Sequence, residues 1–263
     1  MLHLATLVFT LGAPAFTAKD MHSLKRLADP QMSPDGRWVL YQQTTIELGK
    51  SRNTDLFLVP SGGGTPRALT SSPKADAQGR FSPDGKQIAF LSSRDGAPQI
   101  FLLDLDGGEP RRVTNLSQGV ASFKWAGPGR FLAITDVHPS CVGADFDACT
   151  KKKAAENDGS VRVYDKLFVR HWDTWEDGLR SHAVLIDAKT GAATDLTPGD
   201  ADVPPYAGPG DYDVSPDGAE IAFGRNDDKD ESSSTNADLF VVSTAGWPES
   251  TAVMTPPRVC RPP

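Results

Sequence analysis

Three observations predict an all-β chain built from repeated strand units. A tetrapeptide turn recurs along the chain, and each copy precedes two short runs rich in Val, Ile, Leu and Phe. Glycine and proline are abundant, 24 and 21 of 263 residues, a density that punctuates many short strands rather than a few long helices. No window repeats apolar residues at helical spacing for more than a few turns, so helices are not expected.

The turn is Ser-Pro-Asp-Gly, found as Ser33-Pro34-Asp35-Gly36, Ser82-Pro83-Asp84-Gly85 and Ser215-Pro216-Asp217-Gly218. Proline presets φ, aspartate can bond its own backbone, and glycine accepts positive φ, so the next strand starts at a fixed register. Nothing in it is a poised acid, base or nucleophile, and it reads as structural. The strands that follow are Trp38-Val39-Leu40-Tyr41, Ile88-Ala89-Phe90 and Ile221-Ala222-Phe223. A second apolar run comes after a polar loop: Leu56-Phe57-Leu58-Val59, Ile100-Phe101-Leu102-Leu103 and Leu239-Phe240-Val241-Val242. Each unit closes on an apolar-Thr pair: Leu69-Thr70, Val113-Thr114 and Met254-Thr255.

A fourth copy is degenerate. Trp125-Ala126-Gly127-Pro128-Gly129 precedes the strand Phe131–Ile134, its second run is Ala183–Ile186, and it closes on Leu196-Thr197. From turn to closure this unit runs 71 positions, against 37, 32 and 40 in the others, so about 35 residues are inserted between its strands. Strand–turn–strand repeats of roughly 40 to 50 residues are β-propeller blades of about four strands. The expected fold is a partial β-propeller of four blades, at about 23–70, 71–114, 115–199 and 207–255. The insertion lies near 136–178, and an irregular tail fills 256–263.

Composition narrows the function classes. With 27 basic and 34 acidic residues the net charge is −7, which leaves no electrostatic footprint for nucleic acid. Lys151-Lys152-Lys153 reads as a solvated loop. Leu4–Ala15 is apolar and ends in small residues, the pattern of an export signal over 1–18, although Met1-Leu2-His3 lacks the usual positive charge. The competing reading is an N-terminal strand. The stretch is too short to span a membrane, so the chain is expected outside the cytoplasm, periplasmic or extracellular. Cys141 and Cys149 suit a small disulfide-closed loop, and a metal site is the less expected reading there. Cys260 is left over. The acidic string Asp227-Asp228-Lys229-Asp230-Glu231 lacks calcium-loop spacing, and neither metal nor cofactor is expected.

These residues resemble a known family. Ser-Pro-Asp-Gly followed by Asp55-Leu56-Phe57-Leu58-Val59 and Gly62-Gly63-Gly64-Thr65-Pro66-Arg67 is similar to the N-terminal propeller of prolyl-oligopeptidase serine peptidases. TolB-like periplasmic propellers share the turn. The segment from Val163-Tyr164 through Arg170-His171-Trp172-Asp173-Thr174-Trp175 is the sharper match, to the secreted dipeptidyl-peptidase and acylaminoacyl-peptidase branch. The resemblance implies a propeller that admits oligopeptide substrates to an α/β-hydrolase domain, where a G-x-S-x-G serine attacks. No G-x-S-x-G occurs in these 263 residues. The reading is therefore a propeller portion truncated before the hydrolase domain and inactive alone, and no catalytic residue is carried over. The alternative is a stand-alone exported propeller that binds a protein or peptide. Open propeller edges would favour self-association.

Candidate contact residues lie in the insertion, because long loops on a rigid scaffold carry function. Arg170 suits a carboxylate, Asp173 and Glu176 an N-terminal amine, and Trp172 and Trp175 apolar side chains. His171 suits a pH-responsive contact. The competing reading is a structural hairpin, with Val161–Val169 alternating as a strand and both tryptophans packed on the blade.

Overall fold

Alternating apolar residues between fixed turns produce one four-stranded antiparallel sheet per repeat. The computed structural model describes residues 15–46, 52–156, 177–205, 210–228 and 234–245. It also describes residues 164, 167, 169–171, 174 and 175, and the backbone of 251–254. After helix α1 (Ala18–Ser23), the first sheet comprises β1 (Arg26–Met32), β2 (Trp38–Thr45), β3 (Asn53–Pro60) and β4 (Arg67–Ala68). The second comprises β5 (Asp76–Phe81), β6 (Gln87–Ser92), β7 (Gln99–Asp104) and β8 (Arg111–Arg112). The third begins with β9 (Ser122–Trp125) and β10 (Arg130–Val137). It is then interrupted by helix α2 (Phe146–Glu156) and the short strands β11 (Arg170–His171) and β12 (Thr174–Trp175). It is completed by β13 (Arg180–Asp187) and β14 (Ala193–Asp195). The fourth comprises β15 (Tyr212–Val214), β16 (Glu220–Arg225), β17 (Asp238–Ser243) and β18 (Thr251–Met254).

The sheets stack face to face as blades, and the core lies between them. Leu40, Leu56 and Leu58 of blade 1 meet Ile88, Phe90, Phe101 and Leu103 of blade 2. The opposite face of blade 2, with Ala89, Leu91, Ile100 and Leu102, meets Phe131, Ala133, Val184 and Ile186 of blade 3. Blade 3 then presents Leu132, Ile134 and Ala183 to Ile221, Phe223, Phe240 and Val242 of blade 4. A strand carries side chains on alternate faces, so each central strand feeds two junctions, and its run reads as continuously apolar. The fold is all-β, a partial propeller of four blades.

First strands lie side by side along the inner edge. Arg80 Nη1 of β5 pairs with Asp29 Oδ2 of β1 at 2.6 Å, and Lys124 Nζ of β9 pairs with Asp213 Oδ1 of β15 at 3.0 Å. Ser122 and Tyr212 hydroxyls meet at 2.9 Å, and burial raises the Tyr212 phenol to about 12 despite that bond.

The tetrapeptide turns share one hydrogen-bond network. Ser82 Oγ donates to Asp84 Oδ1 at 2.6 Å and accepts from Gln87 N at 2.9 Å. The Gly85 N–H reaches Ser82 O at 2.8 Å with Gly85 at φ 70°. Ser33–Asp35 and Ser215–Asp217 repeat these bonds, each at 2.6 Å. The serine hydroxyl is the largest cause that lowers all three aspartates, Asp35 to about 2. Closing threonines form a second repeated device: the hydroxyls of Thr70, Thr114 and Thr197 accept the N–H of Leu56, Ile100 and Ala183 at 2.9–3.0 Å.

Two helices depart from the sequence expectation. α1 is one capped turn, with Thr17 Oγ1 accepting from Asp20 N and the Asp20 carboxylate accepting from Thr17 N. α2 has no apolar stripe, and only Phe146 and Thr150 are buried. Periodicity could not reveal it, because tethering holds it in place rather than an amphipathic face. The lysines Lys151–Lys153 are helical, not looped. Residues 1–14 of the expected export signal, the tail 256–263 and Cys260 lie outside the described residues.

Candidate functional site

The second-to-third-strand loops leave every blade at the end opposite the tetrapeptide turns. Blade 3 carries its insertion there, between Val137 and Arg180. Its first part is tied down closely. A disulfide joins Cys141 to Cys149, with their Cα atoms 5.6 Å apart. Phe146, 2% exposed, enters the core between blades 2 and 3 beside Cys141 and Val137. Thr150 Oγ1 accepts from His138 N at 3.1 Å, and Asp147 Oδ1 accepts from Ser117 N at 2.7 Å. The N-terminal half of α2 is thus pinned to two blades, while Lys151, Lys152 and Lys153 project outward.

The second part forms a projecting hairpin. β11 and β12 pair Arg170 with Trp175 and His171 with Thr174. The Arg170 guanidinium carbon lies 6.0 Å from the Trp175 ring centroid. Tyr164 stacks on the same indole at 6.3 Å and 23°. Trp175 is 45% exposed, and Leu167, earlier in the insertion, is exposed as well. Of the six candidate contact residues, the structure therefore brings Arg170 and Trp175 together at the surface. The backbone of His171 is described without its side chain, and Trp172, Asp173 and Glu176 lie outside the described residues. The expected strand over Val161–Val169 falls largely outside them too; the hairpin lies at 170–175. Trp175 does not pack into a blade core.

A polar base that the sequence reading missed underlies this end of blade 3. Arg180 is buried, its Nε 2.8 Å from Asp200 Oδ1 and its Nη1 3.1 Å from Asp202 Oδ2. Asp202 also accepts from Ser181 N at 2.8 Å, and Ser181 Oγ donates to Asp136 at 3.1 Å. His182 is enclosed, with Nδ1 2.8 Å from Asp195 Oδ2 and Nε2 3.1 Å from Gly199 O. Ser181 and His182 are adjacent but bonded to different carboxylates, so they form no nucleophile–base pair. The signal available was Arg180 followed twenty residues later by Gly199-Asp200-Ala201-Asp202. These bonds fix the loop-side end of blade 3 where the insertion rejoins β13. Among the described residues no group of three or more His, Cys, Asp or Glu could hold a metal, and no helix is long and apolar enough to cross a membrane.

The TolB beta propeller domain model, PD40, matches residues 18–156, more than half of the chain. The chain belongs to the TolB β-propeller family. Its sequence relatives are peptidases, as the resemblance implied. It is 28% identical over 230 residues to the uncharacterized peptidase YuxL of Bacillus subtilis, covering 86% of this chain and 33% of that protein. It is 28% identical over 243 residues to dipeptidyl-peptidase 5 of Porphyromonas endodontalis, covering 88% of this chain and 34% of that protein. The acylaminoacyl peptidase of Pyrococcus horikoshii shares the fold, with TM-score 0.65 at 17% identity over 90% of this chain and 33% of that one. This TolB-type propeller thus spans about a third of the curated relatives it matches.

Proposed function

We propose that this chain is the substrate-gating, non-catalytic propeller portion of an exported serine peptidase that cleaves oligopeptides. One observation carries the reading: peptidase relatives align over 86% and 88% of this chain but over only 33% and 34% of themselves. Hydrolysis then depends on residues beyond these 263, which contain no G-x-S-x-G. The blade 3 hairpin contacts the peptide. Arg170 takes a carboxylate and Trp175 an apolar side chain; Trp172 supplies a second apolar face, Asp173 and Glu176 take an N-terminal amine, and His171 makes a pH-responsive contact. The Cys141–Cys149 disulfide supports an oxidising, exported setting. Self-association belongs to the same proposal, because the outer faces of blades 1 and 4 carry Tyr41, Phe57 and Leu239 with no further blade against them among the described residues.

The test uses the chain and a full-length relative. The chain is expected to hydrolyse no dipeptide chromogenic substrate; serine-inhibitor-sensitive turnover that copurifies with it overturns the proposal. Arg170→Ala and Asp173→Ala, placed at the matching positions of the relative, are expected to lower kcat/KM on short peptides at least about tenfold. Unchanged kcat/KM refutes the gripping role. Sedimentation that finds a monomer at every concentration refutes self-association.

A further inference from the structure

At the turn end, each junction between blades brings equivalent strand positions together. The strand registers equate Trp38, Gln87 and Arg130 at the start of the second strand. They equate Phe81, Trp125 and Val214 at the end of the first. Leu105, Ala188 and Thr244 follow the third strand, each donating its N–H to the residue before the second: Lys86, Gly129 and Ala219.

Between blades 1 and 2 these positions are filled. Trp38, Phe81 and Leu105 all pack against that junction's apolar core. Between blades 2 and 3 the occupants are Gln87, Trp125 and Ala188, so two large plugs have become smaller residues. Gln87 donates to Asp104 of its own blade at 2.8 Å rather than reaching across. What remains is an open cleft of about 840 Å³, walled by Trp125 and Leu102. That volume falls in the range of small-molecule sites, roughly 300–1,000 Å³.

Two cations face the cleft, Arg111 and Lys189; Arg130 also borders it, but its guanidinium turns to Gly218 O in the blade 4 turn. Arg111 donates to Ala188 O at 3.1 Å, and neither Arg111 nor Lys189 forms an ion pair among the described residues. The two carboxylates present are engaged by their own turns. Asp84 accepts from Ser82 Oγ and Lys86 N, while Asp187 accepts from Lys189 N, Thr190 N and Thr190 Oγ1. Cations with unused donors beside an indole and a leucine suit a ligand with one anionic end and one apolar end.

We propose that the cleft between blades 2 and 3 binds an organic carboxylate with an aromatic or aliphatic body. Arg111 and Lys189 take the carboxylate, and the body lies against Trp125 and Leu102. The site stands at the opposite end of the blades from the insertion and does not depend on the proposed peptide-gating role.

Hydrocinnamate is the probe, titrated into the full chain while the Trp125 indole N–H is followed by NMR. A saturable shift is expected, and the neutral amide of the same probe should bind at least about tenfold more weakly. Gln87→Trp and Ala188→Leu bring in bulk of the kind that closes the junction between blades 1 and 2, and each should abolish the shift. Either variant suffices if the other fails to fold, as judged by its melting transition. Arg111→Gln should weaken binding about tenfold. A peptide ending in a phenylalanine carboxylate separates the sources: tighter binding than hydrocinnamate assigns the site to chain ends, and weaker binding to free carboxylates. No saturable shift, equal affinity for acid and amide, or wild-type affinity in the plugged variants overturns the proposal.

Discussion

Blade 2 and blade 3 build the same sheet from different materials. Blade 2 joins β6 to β7 through six residues, whereas blade 3 places α2 and a hairpin between β10 and β13. Blade 2 starts its second strand from the Ser82–Asp84 network, whereas blade 3 uses Gly127 at φ 77° and Gly129 at φ 73° around a shorter turn closed by Ala126 N to Arg130 O at 2.8 Å. Yet Ile88 pairs with Leu103 as Phe131 pairs with Ile186, and Thr114 and Thr197 close both sheets identically. The blade is therefore set by two-faced strands and the junctions they fill. Turn chemistry and loop length are free to vary, which is how one blade acquired an insertion.

The largest expected effect tests that common basis. Phe90→Ala and Phe131→Ala, both at 0% exposure, should each cost ~3–5 kcal/mol by calorimetry. A much smaller loss at Phe131 would mean that blade 3 leans on its insertion instead. Arg94→Met comes next. Asp76 is fully buried against a 25%-exposed guanidinium that also lies 4.8 Å from the Phe101 ring, and removing its partner should cost about 3 kcal/mol in denaturant melts. Replacing both Cys141 and Cys149 by alanine should act locally. Loss of so short a covalent loop is worth about 2 kcal/mol, so proteolysis within 141–156 should accelerate roughly thirtyfold while the blades keep their protection. Uniform acceleration across the chain would break the separation between insertion and sheet.

Two smaller effects sharpen the contrast between turns. Ser82→Ala removes a buried hydroxyl that serves both Asp84 and Gln87 N, and should lower stability by about 1 kcal/mol. The smallest is a pH dependence. Asp35 is held at about 2, below its ordinary 3.8, so its contribution is present above the ordinary value and lost as pH falls through the lowered one. Asp84 and Asp217 are lowered in the same direction. Blade 3 has no aspartate in this turn, so Ser33→Ala should flatten the acid limb of stability where changes in the Gly127–Gly129 turn do not. An unchanged limb in Ser33→Ala would refute the assignment.

The insertion divides into parts that differ in legibility. Cys141 and Cys149 announced a closed loop by their spacing, but α2 was invisible, because Phe146, Thr150 and Asp147 hold it through separate partners rather than as one apolar stripe. Arg170 and Trp175 stood out by residue type, while their approach to 6.0 Å depends on a two-residue strand pairing too short to leave a pattern. Arg180 and His182 offered no more signal than acidic residues further along the chain, since Asp195, Asp200 and Asp202 lie 13 to 22 positions away and meet them only through the return of the chain.

By itself the sequence determined the four blades, the interruption of the third and the peptidase resemblance. These rest on local physics: turns that demand Pro, Asp and Gly, and strands whose two faces both read as apolar. The tertiary structure alone decided which residues face one another across a junction. That is why the cleft beside Trp125 was hidden. Gln87 and Ala188 are unremarkable at the ends of their own strands, and they leave space only because stacking sets them opposite each other where Trp38 and Leu105 mark the filled case.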